Sequence, residues 1–319
     1  MLNQSDLVLK KFEELKTYQD TIGVESALNH LEVASRHFER AINERDETLF
    51  TDVIYRTNQV FEGMLKEAIT LLARVDGSKL SPYKIEEKLQ NGGLLSGRVM
   101  PYLQKYRTEW RNPSTHDHRI DFSEQESFLA ISSVTSFCYV LIDQMLQKIA
   151  EESVANSSEL TPREFEKDIN VSKLANVLRG FLPKFVSEAV EGGPPPSEVL
   201  LTGFVTGLLS FLVPKESISI EHLSPGSSKG IVDVLVELEA GAVPIEIKVL
   251  KKGPFRTRID SGIIQVSKFA EELGVTDAIL IIFTEDDGWK QKAYSNQFGF
   301  KVGGVQVHPV VIPLSNGGK

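Results

Sequence analysis

One cysteine, Cys138, is all the thiol that this 319-residue chain carries. An internal disulfide and a cysteine-rich zinc site are thereby excluded. Its neighbours, SVTSFCYVLI, make it a small core residue of an apolar helix. Long apolar runs are missing too: no uninterrupted run approaches the roughly 20 residues that cross a bilayer. The opening MLNQSDLVLKKFEELK has no short apolar block followed by a small-residue cleavage site. From these absences we expect a cytoplasmic protein without a membrane partner. Positive charge is also short, with 35 Lys and Arg against 44 Asp and Glu and a net charge of −9. A protein that coats nucleic acid non-specifically is disfavoured, because phosphate neutralisation needs Lys and Arg. There is no internal repeat, no Walker-type Gly-rich loop and no helix-turn-helix, and a separate ATPase motor or sequence reader is counted among the candidate partners.

What is present is an ordinary globular composition, 41% hydrophobic and 25% charged, at a length that suggests two domains. From about residue 24 to 149 the pattern is helical. Val24, Ala27, Leu28, Leu31, Ala34, Phe38 and Ala41 recur at three- and four-residue steps. A second long helix through Val53, Val60, Phe61, Met64 and Leu72 stops at Asp76-Gly77-Ser78, and shorter helices fit 81–90 and 97–110. Ser123-Glu124-Gln125-Glu126 reads as a capping box opening the last long helix. The expected product for residues 1–150 is a four-to-five-helix bundle. Residues 151–196 read as a helical linker region that includes a helix at about 171–190. Beyond the prolines, residues 197–319 change period. A helix at 197–213 precedes SISIEH, IVDVLVEL and VPIEIKVL, the last two joined by a hairpin turn at 239–242. A helix at about 259–274, the strand DAILIIF, a polar helix near 288–297 and the strand VQVHPVVI complete an α/β unit. The expected fold class is α+β in two domains, a helical bundle followed by an α/β domain with a mixed central sheet.

Glu246 and Lys248, two residues apart on a strand, project to one face, so a carboxylate and an ammonium stand side by side. Taken alone, such a pair is most often an exposed ion pair worth little. The partner strand of the hairpin, however, carries Asp233 among Ile231, Val232, Val234, Leu235 and Val236. A buried carboxylate needs a partner, and a divalent cation is a good one. Asp233, Glu246 and the Ile247 carbonyl suit Mg²⁺ or Mn²⁺, with Lys248 positioning a nucleophile or stabilising developing charge on a phosphate. Just downstream, KVLKKGPFRTR gathers Lys248, Lys251, Lys252, Arg256 and Arg258 with no acid among them, a local footprint for nucleic acid.

In order, spacing and element type, residues 195–285 resemble the restriction-endonuclease-like, or PD-(D/E)xK, nuclease superfamily. The resemblance makes Asp233 the motif aspartate, Glu246 and Lys248 the E-x-K pair, and Gln265 the glutamine of the following helix. Glu198, behind a Ser197 cap, becomes the accessory helix acid and a metal ligand, with Glu221 as a weaker candidate. Val232 stands where the motif's name has proline. By its position alone Glu198 is also an ordinary first-turn acid favoured by the helix dipole.

The second constellation is EWRNPSTHDHR, residues 109–119. An Arg fork binds phosphate while a His transfers a proton, so metal-free RNA cleavage through the 2′-hydroxyl is open to such a pair. RNPSTH before the last long helix of a bundle resembles the HEPN superfamily, whose ribonuclease members carry R-x4–6-H. Arg111, Asn112 and His116 match that form, and His118 satisfies the longer spacing. Glu62 and Lys66 resemble polar residues facing the motif in some members; taken alone they are an i,i+4 helix ion pair. The resemblance implies a homodimer through the helical domain.

Three readings of function follow. In the first, the C-terminal domain cuts nucleic acid, DNA before RNA, with Mg²⁺ or Mn²⁺, while the helical domain dimerises and cleaves RNA, the pairing of two such families suggesting prokaryotic anti-phage defence. In the second, the helical domain is a metal-independent RNase toxin and the C-terminal domain its nucleic-acid sensor. In the third, the chain is a non-catalytic adaptor that dimerises and binds a partner, against which the intact Asp233, Glu246 and Lys248 set speaks.

Overall fold

Helix periodicity dominates the first half of the chain, and the computed structural model turns it into a set of long helices. The structure describes residues 4–95, 99–116, 120–157, 169–191, 195–223, 231–250, 255–285 and 300–314. It divides into two units, Met1–Leu146 and Gln147–Lys319.

The first unit is helical. Helix α1 (Gln4–Lys16), which had no place in the sequence pattern, buries Val8, Phe12 and Leu15. Helix α2 (Ile22–Glu44) and helix α3 (Thr48–Ala73) form a hairpin, and Val24, Ala27, Leu28, Leu31, Ala34 and Ala41 make the buried stripe of α2. The hairpin is close because Gly63 faces Ala27, where an added Cβ would stand 3.0 Å from the Ala27 Cβ. Helix α4 (Pro82–Asn91) starts with Ser81 as its cap and Pro82 in the first turn. Helix α5 (Val99–Tyr106) continues through a π-helical turn, Arg107–Arg111, into helix α6 (Asn112–His116). Helix α7 (Glu124–Ala155) opens on the expected capping box. The Ser123 N–H donates to Glu126 Oε2 at 2.8 Å, and the Glu126 N–H donates to Ser123 Oγ at 3.3 Å.

Although no uninterrupted apolar run is long enough, α7 as a whole is long and apolar enough to cross a membrane by length and composition. The same residues build a core: Val134, Phe137, Cys138, Leu141, Ile142, Met145 and Leu146 are all buried. Burial pushes the Cys138 thiol pKa up, which fits an inert core residue.

The second unit is α+β. Its helices are α8 (Val171–Glu191) and α9 (Glu198–Leu212), followed by strands β1 (Ile218–Leu223), β2 (Ile231–Leu238) and β3 (Gly241–Leu250). Helix α10 (Phe255–Leu273), strand β4 (Asp277–Thr284), a short β5 (Phe300–Val302) absent from the sequence reading, and β6 (Val305–Pro313) complete it. The sheet is mixed and six-stranded, in the order β1-β2-β3-β4-β6-β5. Strands β1, β2 and β3 are antiparallel neighbours, β3, β4 and β6 run parallel, and β5 closes antiparallel on β6. Helix α10 is the crossover that a parallel β3–β4 pair requires. It packs Ile259, Ile263, Val266, Phe269 and Ala270 onto Leu250, Leu280, Ile282, Val305 and Val307. Seven of the eight β4 residues are buried, as expected of a strand covered on both faces.

Residues 151–196, expected to link two domains, instead contribute α8 to the second unit. Helix α8 packs on β6 and β4, and Arg179 Nη2 donates to the Pro309 carbonyl at 2.8 Å. The last turns of α7 belong there as well. Gly203 and Gly207 of α9 lie against residues 147–154, and a Cβ at Gly203 would stand 2.5 Å from the Gln147 carbonyl oxygen. The polar helix expected near 288–297 falls outside the described residues.

Candidate active site

The hairpin β2–β3 and helix α10 assemble the strongest cluster. Ladder pairing of β2 with β3 runs from Leu238↔Gly241 to Val234↔Ile245, so the next step places Asp233 opposite Glu246. There the backbone ladder gives way to a side chain: the Ile247 N–H donates to Asp233 Oδ2 at 2.6 Å. On the other flank of Asp233 the β1–β2 pairing also lapses, between Ile220↔Val234 and His222↔Val232. Glu221 fills that gap with a left-handed φ of 49°. A non-glycine residue pays about 1–3 kcal/mol there, and such strain concentrates at functional sites.

Glu246 is 1% exposed, and its Oε2 has no hydrogen-bond partner. Its other oxygen accepts from Lys248 Nζ. Burial, reinforced by the charges of Asp233 and Glu198, pushes the Glu246 pKa up to about 7 against the pull of Lys248. Burial likewise raises Asp233, opposed by the Ile247 N–H and by Lys248 and assisted by the charge of Glu221. Lys248 Nζ also donates to Gln265 Oε1 at 3.3 Å, and Gln265 Nε2 donates to the Ile231 carbonyl at 3.2 Å. Gln265 therefore ties the ammonium to the start of β2.

Gly262, which the sequence reading missed, opens the space for the Lys248 stem. An added Cβ would lie 3.2 Å from Lys248 Cγ and 3.3 Å from its Cε. Its signal was available, since an isolated glycine inside a helical pattern usually has a packing reason.

The donor set suits a hard cation. Two facing carboxylates, one with an orphaned buried oxygen, and the neighbouring Ile247 carbonyl match Mg²⁺, which keeps several waters and binds through one or two carboxylates. Among the described residues no group of three or more His, Cys, Asp or Glu side chains is assembled for a metal. Glu198, expected as a ligand, therefore does not complete such a group with Asp233 and Glu246. It caps the scheme differently: Ser197 caps α9, and Glu198 in the first turn raises the Glu246 pKa through its charge. Of the basic run, Arg256 and Arg258 are exposed on the first turn of α10, with Arg256 Nε 4.0 Å from Asp260, while Lys251 and Lys252 lie outside the described residues.

Neither a family model, nor a curated protein, nor a solved structure matches the chain. The geometry of its own residues therefore carries the functional argument.

In the first unit, Arg111 ends the π-helical turn. The Asn112 N–H reaches the Arg107 carbonyl five residues back. Pro113 supplies the reason: it lacks an N–H and its ring would crowd the carbonyl four residues earlier, so the turn widens. Arg111 Nε donates to Glu62 Oε1 at 2.9 Å, and its Nη1 donates to Asn112 Oδ1 at 3.3 Å. Glu62 thus serves Arg111 rather than forming the local pair with Lys66, which makes no ion pair among the described residues. Below it, buried Asn58 donates to Ser114 Oγ at 2.6 Å and accepts from Tyr106 Oη at 3.3 Å, anchoring the segment to α3. Backbone places His116 at the end of α6; its side chain and all of His118 lie outside the described residues.

Proposed function

We propose that the second unit is a metal-dependent nuclease of the PD-(D/E)xK type, hydrolysing phosphodiester bonds of nucleic acid, with DNA as first substrate. The observation that carries this reading is the meeting of Asp233, Glu246, Lys248 and Gln265, with one buried Glu246 oxygen left without a partner. Asp233, Glu246 and the Ile247 carbonyl would hold Mg²⁺ or Mn²⁺. The cation supplies charge that offsets the phosphate's and makes water more acidic. Lys248, aimed by Glu246 and Gln265, offers its ammonium to a non-bridging phosphate oxygen and stabilises the charge that grows there. Asp233 is fixed by the Ile247 N–H, so its carboxylate needs little reorganisation. Arg256 and Arg258, exposed at the start of α10, give the strand's phosphates cationic contacts.

A second activity is supported by one observation, the Arg111 guanidinium held by Glu62 and Asn112 on a π-helical turn. This arrangement suits a HEPN-like, metal-independent ribonuclease in a homodimer, with His116 as the proton-transfer group. A chain joining the two activities fits a role in anti-phage defence in the cytoplasm, by association of the two family types.

The test incubates wild type, Lys248→Ala and His116→Ala with plasmid DNA and with RNA, in Mg²⁺, Mn²⁺ or EDTA. Metal-dependent DNA cleavage lost only in Lys248→Ala supports the first activity. RNA cleavage that persists in EDTA and is lost only in His116→Ala moves the chemistry to the helical unit. Absence of cleavage in every lane favours the adaptor reading or a separate activating ATPase.

A further inference from the structure

Away from both constellations, the end of α1, the start of α2 and the last turns of α3 enclose a cavity of about 260 Å³, with Met145 of α7 in its lining. Its apolar part is made by Leu15, Val24, Leu71 and Met145, all buried. Its polar part is made by Asp20, Thr21 and Glu67. The Glu67 carboxylate lies against the α2 backbone at Gly23, where an added Cβ would stand 2.0 Å from Oε1. Half-buried there, it has neither a hydrogen bond nor an ion pair among the described residues. Arg74 also lines the cavity, yet the charge that acts on Glu67 is that of Asp20: burial first, and then Asp20, push its pKa up. Asp20 is held by the Ile22 N–H, which donates to its Oδ1 at 3.2 Å. Thr21 is the N-cap of α2 and is 7% exposed, but its hydroxyl makes no bond to the helix, where a capping threonine normally would. Among the described residues that hydroxyl has no other hydrogen-bond partner either. Stability explains neither group, since a half-buried carboxylate beside a second one and a buried hydroxyl without a partner both cost the fold.

We propose that this cavity binds a small aliphatic primary amine, its ammonium among Glu67, Asp20 and Thr21 and its methylene chain on Leu15, Val24, Leu71 and Met145. An ammonium carries three N–H donors and no acceptor, which matches two carboxylates and one hydroxyl oxygen. The bonds to the carboxylates are charge-assisted, and the incoming positive charge relieves the repulsion between Glu67 and Asp20. The same two carboxylates repel an anion. A bare divalent cation fits poorly, because among the described residues no group of three or more metal-ligating side chains forms and half of the lining is apolar. Volume points the same way: the space is several times the roughly 30 Å³ that a water molecule takes up, which leaves room for a short carbon chain behind the charged head. Gly23 is part of the device, since its missing side chain is what lets the Glu67 carboxylate sit at the helix start.

Binding of butylamine, putrescine, butanol and butyrate to the full chain in EDTA is measured by calorimetry. We expect saturable binding of the two amines and none of the alcohol or the carboxylate. Glu67→Gln should weaken butylamine about tenfold and Thr21→Val several-fold, with circular dichroism and thermal midpoint showing that the variants fold. Gly23→Ala supplies a separate check: alanine favours the helix, but its Cβ displaces the Glu67 carboxylate, so affinity should fall while the midpoint holds. Failure of both amines to saturate, butanol binding as tightly as butylamine, or wild-type affinity in Glu67→Gln would each overturn the proposal. Repeating the amine titration with Mg²⁺ in place of EDTA should change nothing, and loss of amine binding there would make the cavity a metal site and overturn it as well. Cleavage takes no part in this readout, so failure here leaves the nuclease proposal standing.

Discussion

Replacing Glu246 by glutamine is the most informative single change, because shape is kept and only the buried charge is removed. The folded pKa of Glu246 is raised from 4.5 to about 7. At about 1.4 kcal/mol per pH unit, the ionised carboxylate then costs the fold on the order of 3 kcal/mol. The sign follows from the direction of the shift. A raised folded pKa gives a stabilising contribution that is complete below the unfolded value near 4.5 and fades as pH rises through 7. Glu246→Gln, which mimics the protonated form, should therefore be more stable than wild type at pH 8 by about 3 kcal/mol in EDTA and equal to it near pH 4.5. For a unit of this size the difference corresponds to about 6–12 °C in thermal midpoint. Mg²⁺ should raise the midpoint of the wild type at pH 8 and leave Glu246→Gln unmoved, because the variant lacks the charge that the cation offsets. Thermal and urea unfolding at both pH values, with EDTA or Mg²⁺, provide the measurement. A variant less stable than wild type at pH 8 in EDTA would refute the reasoning, since it would mean that Lys248 and its neighbours already compensate the Glu246 charge.

Lys248→Met should keep the fold but reduce cleavage by about 10²–10³, the usual loss for one charge-stabilising donor, in a single-turnover gel assay. It should also raise the Glu246 pKa further, because Lys248 lowers it in the wild type, and this is read as a larger pH dependence of stability. Gly262→Ala should cut the cleavage rate about tenfold by displacing the Lys248 stem, while a helix-favouring alanine leaves the thermal midpoint within a few degrees. A rate equal to wild type would remove Gly262 from the site. In the first unit, Asn58→Ala breaks the bonds to Ser114 and Tyr106 and should cost about 1–3 kcal/mol in urea unfolding.

Much of the architecture was legible because it is written at short range. The α2 and α3 stripes, the Ser123–Glu126 capping box, the Ser197 cap and the 239–240 hairpin turn each depend on residues within a turn or two of one another. The elements that were missed are short or atypical. Strand β5 spans three residues, too few to show alternation, and α1 precedes the first clear apolar stripe. The role given to residues 151–196 failed for a different reason. A polar, small-residue stretch looks the same whether its neighbouring helix floats or docks, and only β6 and β4 decide that α8 docks.

By itself, then, the sequence determined the helical and strand periods, the caps, and the placing of Glu246 and Lys248 on one strand face, since each is a consequence of local backbone geometry. Only the tertiary structure decided that Asp233 stands opposite Glu246, that Gln265 reaches Lys248 from α10, that Gly262 makes room for it, and that Glu62 turns to Arg111 instead of Lys66. Those partners lie 13, 17, 14 and 49 positions apart along the chain. Their meeting is set by strand register and helix packing, which no local propensity encodes.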